Sequence, residues 1–89
     1  MSIYNVSYDL RAPGRDYKDL YDEIKKLGSW ARPVESTWLV DTKLSLTDVR
    51  SRIVAAMDSN DKLVITNCAK GTAWGNLPDD VVRWIKERL

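Results

Sequence analysis

The sequence predicts a single α+β domain in which helices cover one face of an antiparallel sheet. Three observations predict it. A chain of 89 residues fits one hydrophobic core and leaves no room for a second. Residues 3–9 alternate, with Tyr4, Val6 and Tyr8 on one side and Ile3, Asn5, Ser7 and Asp9 on the other, which is the period of a half-buried strand. Residues 17–27 and 46–57 instead repeat their apolar side chains at helical spacing.

The first strand is followed by a loop marked by Pro13 and Gly14. Asp16, with Asp19 three residues on, then signals a helix start. Tyr17, Leu20, Tyr21, Ile24 and Leu27 form its apolar stripe, and Lys25, Lys26 and Gly28 suit its C-terminal end. Residues 29–41 read as two short strands interrupted by Pro33, which has no N–H for a ladder and so belongs at an edge, a bulge or a bend. The second of these, residues 36–41, sets Trp38 and Val40 on one side and Thr37 and Leu39 on the other. Ser45 with Asp48 opens a second helix ending near Asp58, with Leu46, Val49, Ile53, Ala56 and Met57 as its buried stripe and Arg50 and Arg52 pointing away. After a polar turn at residues 58–61, the run Leu63, Val64, Ile65 within residues 62–68 predicts a well-buried strand. Lys70, Gly71 and Thr72 open a loop, residues 73–75 suggest a short extended piece, and Pro78, Asp79 and Asp80 begin a last helix that docks through Val81, Val82, Ile85 and Leu89.

This order, βαββαβ plus a C-terminal helix, is the split βαβ or ferredoxin-like arrangement, here a single domain over residues 1–89. Both internal helices are expected on one sheet face. The opposite face, carrying Asn5, Ser7 and Asp9, must be solvated, covered by the last helix, or paired with a second subunit. A homodimer would also widen the thin stability margin of so small a core.

Composition excludes several functions. Fourteen Lys and Arg against 13 Asp and Glu leave a net charge of +1, so any phosphate binding must be local. There is no His, which removes Ser/His and Cys/His pairs and imidazole metal sites. Cys68 is the only cysteine, so neither an intrachain disulfide nor a cysteine zinc site can form; it reads as a small core residue in a reducing, cytoplasmic protein. The first residues lack the pattern of an export signal, no apolar run approaches bilayer length, and no membrane partner is expected.

Val6-Ser7-Tyr8-Asp9, the helix ending in Leu27-Gly28, and Arg32-Pro33-Val34-Glu35-Ser36-Thr37-Trp38 together resemble the small CRISPR-associated Cas-two proteins. That family has an apolar strand ending in Tyr-Asp, a helix, then an Arg, three residues and a Ser-aliphatic-aromatic strand; Arg32, Ser36 and Trp38 occupy the corresponding places. The chain looks closer still to the bacterial SinR family, and VapD-type toxins are similar. It departs from the Cas-two pattern at Val34, where a polar residue is usual, and in a C-terminal helix where those proteins carry a further strand. The resemblance implies a ferredoxin-like homodimer in which Asp9 lies near its twin and the pair holds one divalent metal, Mg²⁺ or Mn²⁺. These families include both metal-dependent nucleases and architectural DNA-binding dimers.

Two functions follow as expectations. In the first, a phosphodiesterase acts on RNA or DNA: the metal on Asp9 polarises the phosphodiester and activates water without any His, and Ser36 hydrogen-bonds the Asp9 carboxylate or a metal-bound water. A nucleophilic Ser is rejected, because it would need an activating base. Arg11, Arg15 and Arg32 would contact the nucleic-acid backbone, with ion pairing to nearby carboxylates as their structural alternative. In the second, the chain is a non-catalytic dimeric module that binds nucleic acid or protein. Of the four Trp and four Tyr, Tyr17, Tyr21 and Trp38 follow core stripes, while Trp74 stands out as a candidate contact aromatic.

Overall fold

The computed structural model of the protein describes residues 2–12, 14, 16–68 and 72–89. Seven elements follow in order: β1 (Ser2–Asp9), α1 (Lys18–Lys26), β2 (Ser29–Val34), β3 (Thr37–Thr42), α2 (Leu46–Ala55), β4 (Lys62–Asn67) and α3 (Asp79–Arg88). The four strands form one sheet in the order β2-β3-β1-β4, and every neighbouring pair is antiparallel. The architecture is thus α+β with three helices, and it is compatible with the ferredoxin-like arrangement.

Period-2 alternation sorts the sheet residues onto two faces. On the first, Tyr4, Val6 and Tyr8 of β1 and Trp38 and Val40 of β3 pack against Leu20 and Ile24 of α1 and Val49 and Ile53 of α2. This is the main core; Val6, Leu20, Ile24, Val40, Val49 and Ile53 are fully buried. On the second face, Ala31 and Leu39 receive Val81 and Ile85 of α3. The last helix therefore covers the β2–β3 side of that face. Side chains on the α3 side hold it there: Trp84 Nε1 and Arg88 Nη2 both donate to Ser29 Oγ at 2.9 and 3.0 Å, and Arg88 pairs with Asp41 at 3.2 Å.

Local chemistry explains the boundaries. Ser45 caps α2 by accepting from the Asp48 N–H at 3.1 Å, as its sequence position predicts. At α1 the cap position is Tyr17, whose side chain makes no capping bond to the helix, and Asp16 instead accepts from the Lys18 N–H at 2.9 Å. Gly28 follows α1 where the chain passes against β3; a Cβ there would collide with the Asp41 carbonyl oxygen. Thr42 closes the same corner by donating to the Leu27 carbonyl at 2.7 Å. Pro33 lies in an edge strand at an irregularity of register between Ala31 and Val34, as its missing N–H requires.

Four expectations are corrected. The strand over residues 62–67 is not well buried: it is the other edge of the sheet, Leu63 and Ile65 are half-buried, and Val64 is 63% exposed. An apolar triplet reads as burial on both faces, but α3 covers only the β2–β3 half of the face that Val64 shares and leaves Val64 exposed. Leu46 leaves the buried stripe of α2 and is 44% exposed. Residues 73–75 form no strand. Cys68 is half-buried rather than sealed in the core, and burial raises its thiol pKa.

Candidate functional site

Asp9 ends β1 on the uncovered side of the sheet, where the register sets it across from Lys62. Its carboxylate accepts from Arg11 Nε at 2.8 Å and lies 2.6 Å from Arg11 Nη2. Both side chains are more than half exposed, so the pair adds little stability and sets orientation instead. The loop bearing Arg11 is fixed by Asp61. One Asp61 carboxylate oxygen accepts from the Arg11 N–H at 2.6 Å and from the Tyr17 hydroxyl at 2.7 Å; the other accepts from the Asp58 N–H at 2.9 Å. A carboxylate in the α2–β4 turn thereby ties down the β1–α1 loop, a role that nothing in local sequence spacing marks.

Ser36 lies in the β2–β3 turn, beside the same end of β1, because its carbonyl accepts from the Tyr8 N–H at 3.1 Å. Asp9 and Ser36 are thus brought to one end of the sheet, but it is Arg11, and not the Ser36 hydroxyl, that holds the Asp9 carboxylate. Arg32 serves the turn. Its Nε and Nη2 donate to the Glu35 carbonyl at 3.0 and 2.7 Å, and its guanidinium lies over the rings of Tyr21 and Trp38 at 4.6 and 4.8 Å. With two donors spent on a carbonyl and its flat face on two rings, Arg32 acts as a strut between the turn and the aromatic core. Arg15, and Lys70 beside the loop of Trp74, lie outside the described residues.

The Tyr8 hydroxyl joins this strut to the core. Trp38 Nε1 donates to it at 2.9 Å, and it donates to the Glu35 carbonyl at 3.3 Å. Burial raises the Tyr8 pKa above the usual tyrosine value, against the smaller opposing influences of the Trp38 hydrogen bond and the Arg32 charge. Trp30 packs against Trp38 with ring centroids 5.1 Å apart and planes tilted by 55°, and Lys25 Nζ lies over the Trp30 ring at 5.2 Å. Trp74, 41% exposed, borders a small cavity with Ile85, Lys86 and Leu89 at the C-terminal end of α3.

Between Asp9 and the region under α3 lies a stretch of sheet that no helix covers. Ser7 donates to Asn5 Oδ1 at 2.9 Å and lies 3.3 Å from Thr37 Oγ1. The register sets Val64 and Thr66 of β4 directly across from Ser7 and Asn5. The surface is centred on the exposed apolar side chain of Val64, with the Asp9–Arg11 pair and Lys62 at its rim. Among the described residues, no three His, Cys, Asp or Glu side chains converge on a common metal position, and no helix is long and apolar enough to cross a membrane.

Sequence reasoning placed Asn5, Ser7 and Asp9 on this face but missed Val64, whose exposure depends on where α3 docks. No protein-family model matches the chain, and no solved structure matches it significantly.

Proposed function

We propose that the protein is a ferredoxin-like homodimeric binding module of the Cas-two-like kind, in which two copies meet across the uncovered β1–β4 side of the sheet. The observation that carries this reading is Val64, 63% exposed in the middle of a strand, with Ser7 and Thr66 beside it. A β-branched residue so placed gains by burial against its own twin. The surrounding hydroxyl and amide groups supply the polar ring that a two-fold contact needs. A small interface fits a chain whose core is limited by its length. The test is sedimentation equilibrium of the wild type and Val64→Lys: the reading expects a dimer that becomes a monomer, and it fails if the wild type is a monomer or if Val64→Lys associates as the wild type does.

The second reading is a divalent-metal-dependent phosphodiesterase on RNA or DNA, favoured by one observation: Asp9 is exposed at the rim of the proposed contact, where a twin carboxylate would be near. One carboxylate per copy suits Mg²⁺ or Mn²⁺, which keep most of their waters, although Arg11 would first have to release Asp9. When bound, the metal would supply charge stabilisation and an activated water. This chain's part would be the Asp9 carboxylate as ligand and Arg11, once freed, as a phosphate contact. Because Arg11 already neutralises Asp9 and Arg32 is spent on the Glu35 carbonyl, the binding module is the better-supported function. Cleavage of labelled RNA and DNA in Mg²⁺, Mn²⁺ or chelator separates the two readings: the module expects no metal-dependent cutting that disappears in Asp9→Ala.

A further inference from the structure

The uncovered half of the sheet carries its charge at one end. β1 and β4 set three cross-strand pairs on this face: Asp9 opposite Lys62, Ser7 opposite Val64, and Asn5 opposite Thr66. Arg11 engages one Asp9 oxygen, because its Nε and Nη2 both reach Oδ2, and Oδ1 accepts no hydrogen bond among the described residues. Lys62 has no ion pair among the described residues, although the register sets it across from Asp9. The nearby acids do not change this pattern. Glu35 lies in the β2–β3 turn, on the far side of Asp9 from Lys62, and adds to the negative side. Asp58 and Asp61 are engaged in and around their own turn, accepting from the N–H groups of Asn60, Asp58 and Arg11 and from the Tyr17 hydroxyl. A carboxylate column on β1 thus stands beside an ammonium column on β4.

We propose that this face recognises a second copy of itself through two reciprocal ion pairs, Lys62 of each copy on Asp9 of the other; the inference rests on the dimer proposed above. The last helix selects the symmetry. Stacked sheets lie about 10 Å apart and a helix is about 10–12 Å across, so α3 fills the gap over β2 and β3 and a partner sheet can lie only over β1 and β4. A two-fold axis running across the strands would set each strand over its own twin and drive each α3 into the partner's β2 and β3. A two-fold running along the strands, between β1 and β4, avoids the collision. It lays β1 over the partner's β4 and β4 over the partner's β1, and each α3 passes outside the partner's β4 edge. Because this axis keeps the charged ends together and exchanges the two columns, Lys62 comes over the partner's Asp9, with its free Oδ1 as the acceptor. At the other end Thr66 meets the partner's Asn5, two groups that can hydrogen-bond. In the middle Val64 comes over the partner's Ser7, whose small side chain leaves room for it, and beside its own twin. Neighbouring columns of opposite charge therefore make the face self-complementary, which fixes orientation and excludes unlike partners.

The test is sedimentation equilibrium of the full chain carrying Asp9→Lys, Lys62→Asp, both changes together, or the two single variants mixed, with wild type and Val64→Lys alongside. Lys62→Asp sets carboxylate on carboxylate at both pairs and Asp9→Lys sets ammonium on ammonium, so each alone should raise the dimer dissociation constant about tenfold or more. The equimolar mixture should dimerise, because one variant carries two lysines where the other carries two aspartates, and the doubly changed chain should regain most of the wild-type affinity. A milder cycle of Asp9→Asn, Lys62→Gln and their combination introduces no like charges and keeps the test independent of whether Asp9→Lys folds. Its two losses should not add, since either change removes the same two pairs. Association of Lys62→Asp as tight as that of the wild type, a mixture that stays monomeric, or additive losses in the cycle would overturn the pairing while leaving the Val64-centred dimer standing. A monomeric wild type, or Val64→Lys associating as the wild type does, would overturn the dimer and the pairing with it.

Discussion

The two edge strands of this sheet are treated differently. β2 carries Pro33 and a register irregularity, Arg32 props its turn against Tyr21 and Trp38, and α3 seals the face behind it through Val81, Ile85 and the Arg88–Asp41 pair. β4 has no proline, its central residue Val64 is bare on one face, and Leu63 and Ile65 border an open groove on the other. One side is finished within the chain, and the other presents main chain and apolar surface outward. The comparison separates where stability is generated from where association is expected. A substitution on the β2 side should be felt in folding, and one on the β4 side in partners.

The largest effect should come from Trp38→Ala, which empties the centre of the aromatic cluster, frees Arg32 and removes the donor to Tyr8. A loss of about 3–5 kcal/mol in urea unfolding is expected, enough to unfold much of a domain this small. Ile85→Ala, 2% exposed at the foot of α3, should cost about 2–5 kcal/mol and raise amide exchange selectively in α3 and β2. Arg88→Ala strands Asp41, which is largely shielded, and should cost about 1–2 kcal/mol in the same assay, with α3 loosened but not lost. An intact melt in any of these three would erase the contrast between the edges.

Of this contrast, the sequence made some parts legible. Pro33 marked β2 as an edge, a bulge or a bend, because a missing N–H is a local fact, and the structure shows an edge with a register irregularity. Alternation in β1 and the stripe of α1 likewise revealed the main core, and Ser45 announced the start of α2. The status of β4 was not legible, because exposure of Val64 depends on which strands α3 chooses to cover, and that choice is made by Ala31, Leu39 and Ser29 far away in the chain. For the same reason the exposure of Leu46 was not legible: it fits the helical period of the buried residues, yet it lies 44% exposed in the groove that Leu63 and Ile65 of β4 border. The candidate site fared similarly. Asp9 and Ser36 do share one end of the sheet, but the partners that restrain the region, Arg11 on Asp9 and Asp61 on the loop, come from side-chain directions that spacing does not encode.

A smaller effect sharpens the contrast through pH. Tyr8 belongs to the closed side, and its folded pKa lies above the unfolded value near 10. The folded state therefore retains the phenol proton longer than the unfolded chain does. Its contribution is fully present below about pH 10 and is lost as pH rises from there through the folded pKa. The urea midpoint should fall on going from about pH 8 to pH 11, and part of that fall should vanish in Tyr8→Phe, whose ring keeps the packing. An identical fall in both proteins would remove Tyr8 from the account. The smallest effect on folding belongs to the open side: Val64→Lys should change the stability of the isolated folded monomer by no more than about 0.5 kcal/mol.

The most direct measurement pairs that variant with its counterpart on the closed edge. Val34 of β2 and Val64 of β4 are 54% and 63% exposed, so a lysine at either costs the folded chain little. Sedimentation equilibrium of wild type, Val34→Lys and Val64→Lys, with thermal melts alongside, compares the two edges at matched exposure. The account predicts a dimer for the wild type and for Val34→Lys, and for Val64→Lys a folded monomer whose melt is lowered only by the concentration-dependent amount that association adds. A Val64→Lys protein that associates like the wild type, or a Val34→Lys protein that loses association, would contradict it.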